Sequence, residues 1–415
     1  MNAGDTAWVL VSAALVLFMT PGLALFYGGM VRSKNVLGMI MQSFFCMGIV
    51  TVLWVLVGFS LAFGPDVGHG LIGGLGMAGL RHLGAGVPGL HLSIPPMAFV
   101  IFQMMFAIIT PALITGATAD RLRFGSFAVF IAVWLLVVYC PIAHWSFSPG
   151  GWLYHRGVLD FAGGTVVEIN SGFSSLAAVL VVGKRRGWPH ELMSPHSLPF
   201  TMMGAGILWF GWFGFNAGSA LSAGPVATQA FMNTQVAAAC GLLGWILVER
   251  LREGRATTLG AASGAVAGMV AITPCAGFVG TMPSILIGAA AGVVCVLAVR
   301  AKFRFGYDDS LDVVAVHGMG GVVGTLLLGL FAARAIDPAG ANGWASGGGI
   351  GLLGEQALAV LATIAYSFGA TWVVAKAVDR VMGLRVTVAA ENEGLDTTQH
   401  AEAAYSGAPM HRMGG

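Results

Sequence analysis

Two ionisable residues sit where the chain is otherwise apolar. Glu168 closes the run Asp160-Phe-Ala-Gly-Gly-Thr-Val-Val-Glu168, and His317 closes Asp312-Val-Val-Ala-Val-His317. A carboxylate and an imidazole can share a proton, as a neutral pair or as carboxylate and imidazolium, and such groups titrate as a pair. Inside a membrane each is costly and therefore marks a functional position. The plainer reading of Glu168 is a protonated acid bonded to a backbone carbonyl. Glu168 lies eight residues after Asp160, and His317 lies eight residues after Asp309. Asp160 before a helix can cap free N–H groups, and it can also pull on an approaching cation. No paired nucleophile accompanies Glu168 and His317, so an intramembrane hydrolase, or any enzyme, is not expected. The other histidines lack metal-ligand spacing and no phosphate-binding glycine loop occurs, so neither metal nor cofactor is expected.

The elements that must position these residues follow from composition. The chain of 415 residues is 57% hydrophobic and 9% charged, against about 25% charged in soluble domains. Apolar runs of about 20 residues recur, which predicts an all-α membrane protein. Hydropathy gives eleven transmembrane helices near 7–30, 37–63, 95–119, 124–147, 162–183, 198–219, 226–249, 258–276, 279–300, 310–333 and 351–379. Spans eight and nine are separated only by Thr273-Pro-Cys-Ala-Gly277, which a helix would hardly cross. Residues 64–94 form a Gly-rich outer loop. The 62 glycines suit close helix packing. The five cysteines form no CxxC pair and read as core fillers. Met1–Asp5 lacks a basic segment, so the first run reads as a span and not as a signal peptide.

Charge sets the orientation. Seventeen of the 20 Lys and Arg residues, Arg412 included, fall on one set of alternate loops and the tail; only Arg81, Arg156 and Arg334 fall on the other. The positive-inside rule then predicts an outer N-terminus and a cytoplasmic C-terminus. The same asymmetry accounts for basic loops such as Lys184-Arg-Arg186, without nucleic acid as a partner. The expected division is an eleven-span membrane domain at 1–382 and a polar cytoplasmic tail at 383–415. Eleven spans accommodate two inverted five-helix repeats plus one extra helix. At 1.5 Å per residue, Glu168 and His317 enter from opposite faces to about 12 Å, near the midplane of a hydrocarbon core about 30 Å thick. They are predicted to meet.

Further motifs carry a resemblance. Phe102-Gln-Met-Met-Phe106-Ala, Pro141-Ile-Ala-His144-Trp145, Asp160-Phe-Ala-Gly-Gly-Thr, Gly211-Trp212-Phe-Gly-Phe215-Asn-Ala-Gly-Ser219-Ala and Asp312-Val-Val-Ala-Val-His317-Gly stand in order along the chain. Gly383-Leu-Arg385, Glu393-Gly-Leu-Asp396 and His400 follow in the tail. Together they resemble the ammonium transporter family (the Amt, Mep and Rh proteins), bacterial Amt type. The resemblance implies a homotrimer in the cytoplasmic membrane with one pore per subunit. It implies ammonium recruitment at an outer aromatic and serine site that includes Phe106 and Ser219, with Asp160 near the entrance. The entrance Trp position of the family is Phe147 here, with Trp145 close by. Phe102, Phe106 and Phe215 are similar to the phenyl gate, and Trp212 to a pore-lining residue. On its own each phenylalanine would read as ordinary core.

The chain departs from the family at the pore centre, where two histidines are usual: the first is Glu168, as in some fungal and bacterial members. The expected mechanism is deprotonation of ammonium, passage of ammonia through an apolar pore, and a proton relay through Glu168 and His317. Glu168 is expected to stabilise positive charge, shift the pH optimum and relax rejection of potassium. The implied partners are ammonium or ammonia, with methylammonium a further candidate, membrane lipid, and a trimeric PII protein at the cytoplasmic face. The competing reading is an ammonium sensor of the same fold with little transport.

Overall fold

A chain that buries apolar runs in lipid must satisfy its backbone internally, and helices do so. In a computed structural model, which describes residues 1–405, each predicted run is helical. The helices are α1 (Ala3–Met30), α2 (Ser33–Phe63), α3 (Pro96–Thr118), α4 (Phe124–His155, interrupted at 148–151), α5 (Gly164–Val182) and α6 (Leu198–Gly218). They continue as α7 (Pro225–Glu253), α8 (Thr258–Ile272), α9 (Thr281–Phe305), α10 (Val314–Phe331) and α11 (Gly351–Met382). Ten of these are long and apolar enough to cross a membrane; α8, with 15 residues, is the short one. It ends where Thr273-Pro274 begins a turn, since proline cannot continue the ladder. Among the described residues there is no sheet, only the isolated bridges Asp66–Gly73 and Leu122–Arg385. His411 and Arg412 lie outside the described residues.

The two halves pack through their matching helices. α1 runs along α6, and glycine makes the approach possible: a Cβ at Gly204 would stand 2.2 Å from the Phe26 nitrogen. α5 crosses α10 in the same way, since a Cβ at Gly172 would stand 2.2 Å from the Gly318 Cα. α11 lies outside the halves, against α5, α10 and α4. The simple depth arithmetic needs one correction. Both segments that carry the ionisable pair are π-helical, over Gly164–Ile169 and Val314–Met319. Residues 160–163 and 309–312 are not helical and the turns that follow are wider than α, so a rise of 1.5 Å per residue does not apply over either stretch. The meeting itself is unaffected.

The two faces are tied differently. On one, the loop 64–94 is held by His144, whose Nδ1 is 2.9 Å from the Ala62 carbonyl and whose Nε2 is 3.3 Å from Asp66. On the other, Asp308 receives Arg185 through Nε at 2.9 Å and Nη2 at 2.8 Å. Burial works against ionisation of Asp308, yet Arg185 and Arg121 hold it below the usual carboxylate range. The tail helices α12 (Val388–Glu393) and α13 (Leu395–His400) lie across this face. The Gly38 N–H donates to Asp396 at 2.8 Å, and Glu391 accepts from Arg385 at 2.7 Å and from the Arg186 N–H at 2.8 Å.

Candidate functional site

The centre of the bundle holds the pair. Glu168 Oε2 and His317 Nδ1 stand 2.7 Å apart, with both residues buried. Gly172 and Gly321 bring them there: a Cβ at Gly321 would come within 2.9 Å of the Glu168 Cβ. The second carboxylate oxygen, Oε1, has no hydrogen-bond partner in the described structure. Ser171, three residues on, donates its hydroxyl to the Glu168 backbone carbonyl at 3.1 Å and is not set against the pair as a nucleophile.

A narrow cavity runs past the pair. Its volume is about 10 Å³, room for about one water-sized molecule, and Glu168 and His317 share its wall with apolar residues that include Leu113, Trp212 and Phe215. Trp212 is held by its indole N–H, which donates to Thr273 Oγ1 at 2.9 Å. At the Phe215 end the Phe106 and Phe215 rings lie 4.4 Å apart between centroids, tilted by 44°. Phe102 meets Phe106 edge-on at 5.0 Å and is wholly buried.

An open vestibule of about 590 Å³ is lined by Asp160, Ser219 and Ser146 together with Phe161, Phe278 and Tyr154. The Ser219 hydroxyl donates to the Phe215 carbonyl at 2.8 Å, which leaves its lone pairs free to accept. Asp160 accepts the N–H groups of Gly163 at 2.9 Å, Gly164 at 2.6 Å, Thr165 at 2.8 Å and Val166 at 3.4 Å, and the Thr165 hydroxyl as well. Burial raises the Asp160 carboxyl above the ordinary value while these donors oppose the rise.

Three side chains fall elsewhere. Trp145 is buried, donates to the Leu71 carbonyl at 2.8 Å and packs on Tyr366 at 4.8 Å. Phe147 packs half-buried against the core. Neither lines the vestibule. Phe106 is 1% exposed and offers no open face to the vestibule.

An apolar cavity with a buried acid–imidazole pair can admit a small neutral molecule and hold a proton. The profile of the Ammonium Transporter Family matches residues 7–405. The chain belongs to the ammonium transporter family. It is 50% identical to an ammonium transporter of Mycobacterium tuberculosis over 97% of this chain and 90% of the relative. It is 49% identical to one of Bacillus subtilis over 98% and 99%. Among solved structures it is similar to Saccharomyces cerevisiae Mep2, with a TM-score of 0.88, 35% identity and coverage of 94% and 88%. It is also similar to a protein described as a sensor Amt protein, with a TM-score of 0.87, 30% identity and coverage of 97% and 98%.

Sequence reasoning passed over two vestibule aromatics. Phe161 and Phe278 meet edge-on at 5.3 Å in the vestibule wall. Phe161 directly follows Asp160, and Phe278 directly follows the break after α8, so both stand beside features already singled out. The missing signal is the contact between them, which needs the fold.

Proposed function

We propose that this transporter carries ammonium across the cytoplasmic membrane. Ammonium is recruited in the vestibule, loses its proton there, and passes the phenyl gate as ammonia. The proton moves separately through Glu168 and His317. The observation that carries this reading is the 2.7 Å contact of two buried ionisable side chains on the wall of an otherwise apolar cavity. Moving a bare cation through such a lumen is costly, whereas ammonia is neutral and small.

In this reading Ser219 and Asp160 serve recruitment, with Phe161 and Phe278 supplying ring faces for a cation. Phe102, Phe106 and Phe215 gate the lumen, and Trp212 lines it. Phe147 and Trp145 support the entrance from behind, because neither reaches the vestibule. Residues 1–382 form the transport body, and the tail from 383 is regulatory. The tail face is cytoplasmic, in keeping with its excess of Lys and Arg. Close relatives that are described as ammonium transporters favour transport over sensing. A homotrimer, a PII protein docking on the tail face, and methylammonium as a second substrate complete the proposal.

The test is ammonium-pulse electrophysiology on the purified protein in vesicles. A current that saturates with ammonium is expected. Glu168→Gln keeps the shape of the side chain but cannot ionise, and is expected to cut the current at least tenfold. Glu168→His is expected to retain current with an altered pH optimum and altered potassium leak. Tight ammonium binding without current would favour the sensor reading instead.

A further inference from the structure

The segment that leads to His317 repeats the one that leads to Glu168. Both the pair and the preceding aspartates are 149 residues apart, Glu168 to His317 and Asp160 to Asp309. Gly163 and Asp312, third after each aspartate, both have left-handed backbone, with φ of 114° and 63°. The N–H of the fifth residue donates to the aspartate in each case, Thr165 to Asp160 at 2.8 Å and Val314 to Asp309 at 2.7 Å.

The chemistry of the two aspartates differs. Asp160 has both oxygens filled by donors. Asp309 is 1% exposed and receives the Val314 N–H at Oδ2, with the Val313 N–H also directed at the carboxylate, while Oδ1 has no hydrogen-bond partner in the described structure. Where Asp160 has a Thr165 hydroxyl, Asp309 has the apolar Val314. The nearest cation, Lys302 on α9, is committed to the Asp312 carboxylate at 2.5 Å and reaches Asp309 only at its backbone carbonyl, at 3.1 Å. The groups within electrostatic reach of Asp309 are Asp312, Lys302, Tyr307, Arg185 and Tyr27 of α1, and the field of Tyr27 also includes Glu168. Burial, and then the Asp312 charge, push the Asp309 carboxyl up to about 6.

We propose that Asp309 is a second proton-exchange carboxylate, which takes the proton after the Glu168–His317 pair and returns it to ammonia on the Lys/Arg-rich side. The proposal rests on the relay reading given above. The imidazolium N–H bond breaks, and its proton forms an O–H bond at the open Oδ1 of the Asp309 carboxylate. The new O–H bond then breaks as ammonia takes the proton, yielding ammonium and restoring the carboxylate. The transfer is downhill because ammonia is the stronger base. Asp160 cannot play this part, since protonating it would displace one of its donors.

The test measures ammonium-pulse current in vesicles of phosphatidylcholine and phosphatidylglycerol while the pH on the Lys/Arg-rich side is varied from 5 to 8. The native current is expected to rise as that pH passes through about 6, because Asp309 must give up its proton to turn over. Asp309→Asn keeps an acceptor for the Val314 N–H, and is expected to lower the current about tenfold and flatten this dependence. Asp309→Glu is expected to retain it. An unchanged pH profile in Asp309→Asn overturns the proposal, even if its melting point falls. Full current in Glu168→Gln overturns the relay and this proposal together. Reduced current in Glu168→Gln with a native profile in Asp309→Asn overturns only the role of Asp309.

Discussion

The segments Asp160–Gly172 and Asp309–Gly321 hold one backbone plan and two kinds of chemistry. Each begins with an aspartate, half-buried at Asp160 and buried at Asp309, turns through a left-handed residue, enters a π-helix and delivers one half of the central pair. The first spends its aspartate on structure, with four N–H groups and a hydroxyl on one carboxylate. The second leaves an oxygen unpartnered beside an ion pair. A repeated scaffold can therefore fix position in both halves while leaving protonation free in only one. The π turns serve the same end, since such turns re-aim side chains inside a helix and occur often at functional sites.

Truncating the two aspartates should break this comparison most strongly. Asp160→Ala strands five donors at once, and an orphaned buried donor costs about 1–3 kcal/mol. Its loss of stability should reach about 4 kcal/mol. Asp309→Ala removes the acceptor for only the Val314 and Val313 N–H groups and should lose only about 2 kcal/mol. Thermal unfolding of the two variants in detergent decides the matter. Equal losses would mean that the donor sets are not what separates the two copies.

The helix crossing gives a smaller effect with its own asymmetry. A methyl at Gly172 meets the Gly318 backbone at 2.2 Å, where nothing can shift, whereas one at Gly321 meets the Glu168 side chain at 2.9 Å. Gly172→Ala should cost about 3 kcal/mol and Gly321→Ala nearer 1, within the range for overpacked cores. Gly321→Ala should also displace the carboxylate from His317. Its transport should thus fall further than its stability, as parallel melting and current measurements would show.

The pH dependence of stability sharpens the contrast at lower amplitude. Asp309 is raised from 3.8 to about 6, so between these values the folded chain binds more proton than the unfolded one. Stability must then fall as pH rises across that window and level off above it. Asp309→Asn should remove this slope. Melting points taken at intervals between pH 4 and 7 would show a persisting slope if another group were responsible.

These contrasts divide what sequence can carry from what it cannot. The spans were legible because lipid forces long apolar helices and because Pro274 and the glycines punctuate them. Glu168 and His317 were legible as partners because two ionisable groups eight residues inside opposite runs have few other places to go. The π turns were not legible, since they leave no pattern of their own in the spacing of apolar residues. Nor was the difference between Asp160 and Asp309, which depends on which donors fold back onto each carboxylate. Trp145 misled for a related reason: adjacency to the entrance in sequence does not say which way a helical side chain points.

Trp145 supplies the smallest effect and the finest discrimination between the two faces of the entrance. Its indole N–H holds the loop at the Leu71 carbonyl, and its ring packs on Tyr366 and Trp152. Trp145→Phe keeps most of the ring contact and loses the one hydrogen bond, a change of about 1 kcal/mol. The concentration of ammonium that gives half-maximal current should stay within twofold of native. The vestibule rings are the counter-case: Phe161→Leu removes a π face from the wall and should weaken recruitment several-fold at nearly native stability. A larger shift from Trp145→Phe than from Phe161→Leu would return the cation-binding face to Trp145 and remove it from the Phe161–Phe278 pair.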